Sequence, residues 1–365
     1  MIQTLKNAWK IVDLRKKMLY TVLLLIVFRF GSIIPVPGID KTVLQSLAGA
    51  EGSRFGFFDI ISGGAFSNAT IFAMSITPYI NASIILQLLT IAIPALERIA
   101  KEGEEGRKKI AQITRYVTVV LGFVQAAGLY AALSSSITNP GILSFVTITL
   151  TFTAGTAFLM WLGELITEKG VGNGISLIIF IGIISRLDDG VKAIYNYMAG
   201  AHFGFMSILA MVILVVVALL LVGFVVSIND AERRIPVQYA KRVVGRKMYG
   251  GQSTYIPLKV AMAGVMPIIF AMSILSFPAT LANLFGQPAA GSFWFKFLNV
   301  FNPNGWVYAI LYFALIIFFT YFYTSIQFNP IEMSNNIKRN GGFVQGIRPG
   351  NLHQIISQRY YQRLL

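Results

Sequence analysis

Eight mostly apolar runs punctuate the chain, separated by polar or charged stretches. A membrane-spanning helix needs about 20 such residues. The pattern predicts spans at roughly 18–34, 71–93, 116–133, 143–162, 175–184 with extensions, 205–228, 260–285 and 306–326, with ends placed to within about two to four residues. The fifth is short because Arg186, Asp188 and Asp189 close it. Residues 1–17 read as a basic amphipathic helix ahead of the first span. The expected fold class is an all-α polytopic membrane protein.

One stretch fits neither a span nor a loop. Residues 52–75 mix Phe55, Phe57, Phe58, Ile60 and Ile61 with Gly63, Gly64, Ser67 and Asn68. A piece too polar to span alone and too apolar to face water is expected to be re-entrant, since irregular backbone at membrane depth must be buried in protein or line a cavity. Pro78, Pro267 and Pro278 interrupt other spans in the same sense.

Charge orients the array, because Lys and Arg flanking spans stay cytoplasmic. Lys6, Lys10, Arg15, Lys16 and Lys17 precede the first span. Arg98 to Arg115 supply six more between the second and third, and Arg233 to Lys259 seven between the sixth and seventh. The intervening 134–142 segment has none. The N-terminus is therefore expected in the cytoplasm. Topology signalling accounts for the short loops. The 229–259 loop is longer and mixes its cations with Tyr239, Tyr249, Gln252 and Tyr255, a surface suited to an acidic partner or RNA phosphates.

Composition agrees: of 365 residues 55% are hydrophobic and 12% charged, and the mean hydropathy is +0.68. Soluble domains carry about a quarter charged residues. No Cys occurs, and His appears only at His202 and His353. Disulfides, thiol catalysis and His-rich metal sites are thereby excluded, and no metal or cofactor is expected. No phosphate loop of the GxxxxGK[ST] form is present. Gly170-Val-Gly-Asn-Gly174 follows a span, not a strand, and reads as a helix join. No cleavable signal is expected, because the first apolar run leads to Pro35 and Pro37. These absences point to a non-enzymatic channel or carrier energised from elsewhere. The scarcity of ionisable groups inside the spans favours the channel over a secondary transporter, although broken helices suit both. Arg29 is the clearest exception, expected to snorkel outward.

Seven strings carry a specific resemblance. They are Ile33-Ile-Pro-Val-Pro-Gly-Ile-Asp40, Ser75-Ile-Thr-Pro-Tyr-Ile-Asn-Ala-Ser-Ile-Ile-Leu-Gln87, Met160-Trp-Leu-Gly-Glu-Leu-Ile-Thr-Glu-Lys-Gly-Val-Gly-Asn-Gly-Ile175, Arg233-Arg-Ile-Pro-Val-Gln-Tyr-Ala-Lys-Arg242, Gln252-Ser-Thr-Tyr-Ile-Pro-Leu-Lys259, Phe277-Pro-Ala-Thr280 and Gly346-Ile-Arg-Pro-Gly350. In order and spacing they resemble the SecY family, which includes Sec61-alpha, over residues 1 to 350.

The resemblance implies a protein-conducting channel of the bacterial cytoplasmic membrane that passes unfolded preproteins across and releases membrane proteins sideways into lipid. It implies two inverted halves around an hourglass pore. The N-terminal half would be 18–195. The C-terminal half would be 196–328, and 329–365 a cytoplasmic loop and tail. A pore ring would comprise Ile76, Ile80, Ile179, Ile183 and Ile269; the first two pairs each lie four apart, on one helix face. A plug would occupy about 57–73, including Phe58, Ile60, Ile61, Gly63, Gly64, Phe66, Ser67 and Asn68. Gln87, Thr280 and Asn283 would be polar contacts of a lateral gate. Arg233, Arg234, Arg242, Arg246, Lys247 and Arg348 would dock the ribosome, through its RNA and proteins, or the motor SecA. Further implied partners are SecE, SecG, signal sequences, nascent preproteins and membrane lipid.

The chain departs from the family's wording at Gln345, where Pro is expected, and after Gly350. Family members have ten spans, so this sequence is expected to lack the last two, with part of the ring and of the second half's wall. A truncated, non-conducting remnant is the competing expectation for such a chain.

Overall fold

The computed structural model describes residues 6, 9–40, 42, 44, 59, 62–133, 137–200, 205–239, 242–244, 247–249, 253–259, 261, 263–284, 297–298, 300–301, 305–327 and 342–343. Helices dominate. In chain order they are α1 (Val12–Gly31), α2 (Thr77–Ala92), α3 (Pro94–Lys101), α4 (Glu104–Ala132), α5 (Ile142–Lys169), α6 (Gly174–Ile184), α7 (Leu187–Gly200), α8 (Phe205–Asp230), α9 (Met266–Leu284) and α10 (Trp306–Gln327). Each predicted apolar run overlaps one of them. Among the described residues four helices are long and apolar enough to cross a membrane, at Glu104–Ala131, Ile142–Lys169, Ile208–Asp230 and Trp306–Thr324, or five if the bent pair α2–α3 counts as one span. The other runs fall on α1, with charges in its first two turns, on the 11-residue α6, and on α9, interrupted by Pro278.

The second run is not one straight helix. Residues 71–76 are turns, and Ser75 has φ +51°. α2 starts only where Pro78 supplies the fixed φ suited to a first helical turn. It stops at Ile93, which is extended at φ −108° and ψ 112°, as the ring of Pro94 requires of its predecessor. α3 then leaves at 102°.

The chain is mostly helical, as expected, but it is not all-α. The described residues that follow α8 include strands: β1 (Glu232–Tyr239), β2 (Arg242–Val244), β3 (Lys247–Tyr249) and β4 (Ser253–Lys259). β1 pairs antiparallel with β4, from Glu232 opposite Lys259 to Gln238 opposite Ser253, and β5 (Gly342–Phe343) joins β1 at its other edge. β2 and β3 form a separate hairpin. Arg233, Ile235 and Val237 alternate with Arg234, Pro236 and Gln238, the period-two pattern of a strand. Pro236 and Pro257 mask that pattern in the sequence, because Pro cannot donate to the ladder.

Two compact units make up the chain: Met1–Tyr197 with Met272–Tyr312, and Met198–Ala271 with Phe313–Leu365. In the first, α1, α2, α4, α5 and α6 enclose two buried clusters. One gathers Leu24, Phe28, Ala65, Phe72, Ile76, Leu159, Leu162, Ile166 and Ile178. The other gathers Val36, Leu44, Phe66, Ala69, Ala73, Met74, Leu133, Ile148 and Phe152, among others. Polar ties fix the helix ends. Thr21 Oγ1 accepts from Val171 N at 3.1 Å, and the Asn173 side chain caps α6 through Ser176 N. Arg115 Nε donates to Glu164 Oε1 at 2.8 Å, joining α4 to α5. In the second unit, Phe270 of α9 meets Phe319 and Tyr323 of α10 edge-on, with centroids 5.6 and 5.9 Å apart.

Candidate functional site

The re-entrant stretch is the best-defined candidate. Residues 62–76 thread between the two clusters, giving Ala65, Phe72 and Ile76 to one and Phe66, Ala69, Ala73 and Met74 to the other. Its backbone is held by turns, not by a continuous helix. Gly63 and Gly64 have φ of +66° and +83°, a region costly to residues bearing Cβ. Within the tight fold, Gly64 N donates to Asp59 O, and Asn68 Nδ2 to Gly64 O at 2.8 Å. Ser67 Oγ also donates to Gly64 O. The returning strand is stitched to the connection after α1, where Val36 N donates to Ala69 O at 2.8 Å and Ile71 N to Ile34 O at 3.1 Å. That connection is stitched in turn to the α4–α5 loop, with Thr138 N donating to Gly38 O.

A polar cluster sits where this stretch meets the end of α6. Asp59 is 3% exposed, and its carboxylate accepts from Ser67 N at 2.8 Å and from Arg186 Nη1. Arg29 does more than reach outward: its Nη1 donates to Gly63 O at 3.3 Å and to Ser185 Oγ at 3.2 Å. The sequence reading used Arg186 only as a stop for α6 and did not single out Asp59. An acidic residue inside an apolar re-entrant stretch was the available signal, because a buried carboxylate requires a partner.

The expected pore residues occupy unlike environments. Ile76 is fully buried in the first cluster, and Ile80 packs on that cluster from its edge. On α6 the buried isoleucine is Ile178, whereas Ile179 is half-buried and Ile183 is 48% exposed. Ile179 and Ile183 thus share a face of α6 that the core leaves open. Ile269 is half-buried in α9, next to fully buried Phe270. Of the expected plug residues, Gly63, Gly64, Phe66, Ser67 and Asn68 belong to the threaded stretch, and Phe58, Ile60 and Ile61 lie outside the described residues.

Gln87 is exposed on α2, with Nε2 3.5 Å from Ser83 Oγ on the same helix. Thr280 and Asn283 fall in the last turns of α9. The basic residues divide between strands and undescribed positions. Arg233 and Arg234 are exposed on β1, and the Arg234 guanidinium lies 4.7 Å from the centre of the Tyr255 ring on β4. Arg242 is on β2 and Lys247 on β3, while Arg246 and Arg348 lie outside the described residues. Among the described residues no group of His, Asp and Glu could hold a metal ion.

Comparisons with known proteins place this arrangement. The SecY family model matches residues 70–365, more than half the chain and including the stretch after Gly350. Protein translocase subunit SecY of Halalkalibacterium halodurans is 47% identical over 372 aligned positions, covering 100% of this chain and 85% of that protein. SecY of Escherichia coli K12 is 46% identical, covering 93% of this chain and 77% of the relative. A solved structure described as that of a protein conducting channel superposes with a TM-score of 0.64 at 18% identity, covering 94% of this chain and 81% of that one. A second, of a SecY channel whose plug domain is said to stabilise the closed state, gives 0.63, also at 18% identity, over 95% of this chain and 81% of its own. These two show likeness of fold.

Proposed function

The chain belongs to the SecY family, and from that premise we propose how it works as the protein-conducting subunit of a membrane translocase. Residues 57–73 are the plug of the closed channel. Ile76, Ile80, Ile179, Ile183 and Ile269 form the constriction through which an unfolded preprotein passes. An apolar constriction closes by fit and dewetting and leaves no charge to bind the passing chain.

The observation that carries this reading is the threaded stretch. It is apolar enough to fill the interior of its unit, yet it is held there by turns and a few polar contacts rather than as part of a span. Such a piece can leave without unfolding a transmembrane helix. The open face of α6 bearing Ile179 and Ile183 supports a path beside it.

Eight spans lie in two inverted halves, with the N-terminus in the cytoplasm of a bacterial cell. Gln87, Thr280 and Asn283 line a lateral gate through which hydrophobic segments leave for lipid. The sheet of β1 and β4 carries Arg233 and Arg234, and the β2–β3 hairpin carries Arg242 and Lys247, with Arg246 between β2 and β3 in sequence, to the ribosome or SecA, and Arg348 contributes nearby in sequence to β5. Energy comes from those partners, with SecE and SecG as companion membrane subunits.

The absence of native Cys makes the test direct. Ile269→Cys is co-expressed with SecE and SecG, and a stalled secretory precursor bearing one Cys is trapped by disulfide formation. An adduct at Ile269→Cys, missing at the exposed Leu220→Cys of α8, is the expected result. No adduct at either position overturns the pore assignment.

A further inference from the structure

Among the described residues of the first unit the buried ionisable side chain is Asp59, which meets Arg186 at the end of α6. Its carboxylate is covered, and its hydrogen-bond partners in the structure are the backbone of Ser67 and the guanidinium of Arg186. Arg186 has a second partner: its Nε lies 3.4 Å from Asp189 Oδ2, and that carboxylate is well exposed. Arg186 therefore bridges a carboxylate on the re-entrant stretch and one on the helix end that stays behind.

We propose that the Asp59–Arg186 ion pair is the latch that holds the plug shut, and that Asp189 keeps Arg186 paired once the plug has left. This rests on the reading of residues 57–73 as the plug. The physical reason is asymmetry. Breaking a buried pair by removing one member strands the other charge, which costs far more than the pair itself contributes. Here opening strands neither: Asp59 leaves with the plug for water, and Arg186 falls back on Asp189. The latch is firm while closed and inexpensive to release. Arg29 supplements it without ionic contact, donating to Gly63 O and Ser185 Oγ.

The asymmetry gives the two partners different phenotypes. Arg186→Gln leaves a buried, unpaired carboxylate that drives the plug out. Asp59→Asn leaves an amide that still accepts from Ser67 N, and an Arg186 still paired with Asp189. Resting ion leak of the assembled channel is measured in planar bilayers for the parent, both single variants, the double variant, and a chain with 57–73 replaced by a Gly–Ser linker. Arg186→Gln is expected to raise leak by about tenfold or more, given the cost of a stranded buried charge. Asp59→Asn is expected to raise it less, and the double variant to fall back to the Asp59→Asn level. A double variant as leaky as Arg186→Gln overturns the latch. So does parent-level leak in Arg186→Gln while the linker chain leaks. If the linker chain itself stays tight, the plug reading fails instead. Should Arg186→Gln not assemble, Ser67→Cys provides the second readout. It is introduced both alone and together with Asp59→Asn, and labelled from the outer face by a membrane-impermeant maleimide. Faster labelling when Asp59→Asn is present supports the latch, and unchanged labelling overturns it.

Discussion

At the scale of single residues, close packing decides which small side chains are irreplaceable. A Cβ on Gly155 would lie 2.1 Å from Ile71 O, so α5 can approach the threaded stretch only with hydrogen at that point. On Gly174 it would lie 2.0 Å from Gly163 O, at the close contact of α5 with α6. Both obstacles are backbone atoms that no rotamer change can move. Gly223 in α8 meets nothing within 4 Å. Gly155→Ala and Gly174→Ala should each lower stability by about 1–3 kcal/mol, as overpacked cores do. Gly223→Ala should be neutral or stabilise by up to about 1 kcal/mol, since it only removes a helix-interior glycine. Thermal unfolding of the purified protein in detergent checks all three, and equal losses at 155 and 223 would refute the packing argument. The sequence held the glycines but not their neighbours. Arg186 was legible as the stop of α6 because a charge ends an apolar run. Its bond to Asp59, 127 positions away, was not, because pairing across that distance exists only once the chain has folded.

At the scale of elements, the apolar runs located eight of the helices, while α3 and α7, which carry charges, were not foreseen, and proline chemistry set the other errors. The second run looked continuous from 71 to 93, but Pro78 and Pro94 cut α2 to 16 residues. Replacing Pro94 with Ala restores the missing N–H and frees Ile93 to become helical. The Pro94→Ala chain is expected to straighten α2–α3 from its 102° bend, lengthening the distance between spin labels at positions 83 and 101. An unchanged distance would mean that packing of α3 on α4, not the proline, holds the bend. The basic hairpin illustrates the opposite bias. Its cations were plain, whereas Pro236 and Pro257 hid its strands. Arg234 stacks on Tyr255 at an exposed site, so Arg234→Ala should cost only about 0.5–1 kcal/mol of hairpin stability. If β1–β4 is a docking platform, the same change should weaken ribosome binding and make its loss with salt less steep than in the parent. A binding curve unchanged across salt concentrations would remove Arg234 from the docking set.

For the whole molecule, the argument turns on which solvent the exposed apolar surface meets. α8 presents Leu219, Leu220 and Phe224 with 64–67% exposure, and an 18-residue window within Ile208–Asp230 has a mean hydropathy of 3.4 with none of it buried. Water would not tolerate such a helix, but hydrocarbon does not distinguish it from its own tails. Each span so placed forces the next connection to the opposite side, and the Lys and Arg clusters choose the side. Lys101, which ends α3 within the basic segment before α4, and Asn139, in the α4–α5 loop without a Lys or Arg, are therefore expected to face opposite compartments, and both are exposed. In the Cys-free chain, Asn139→Cys should react with an impermeant maleimide in intact spheroplasts, and Lys101→Cys only after the membrane is opened. The reverse pattern would invert the whole array and put the basic hairpin outside, where no ribosome could reach it. Labelling of both in intact spheroplasts would mean that one span between them does not cross. Since α4 alone separates the two sites, that result would strike at one helix and leave the orientation of the others to the remaining charge clusters.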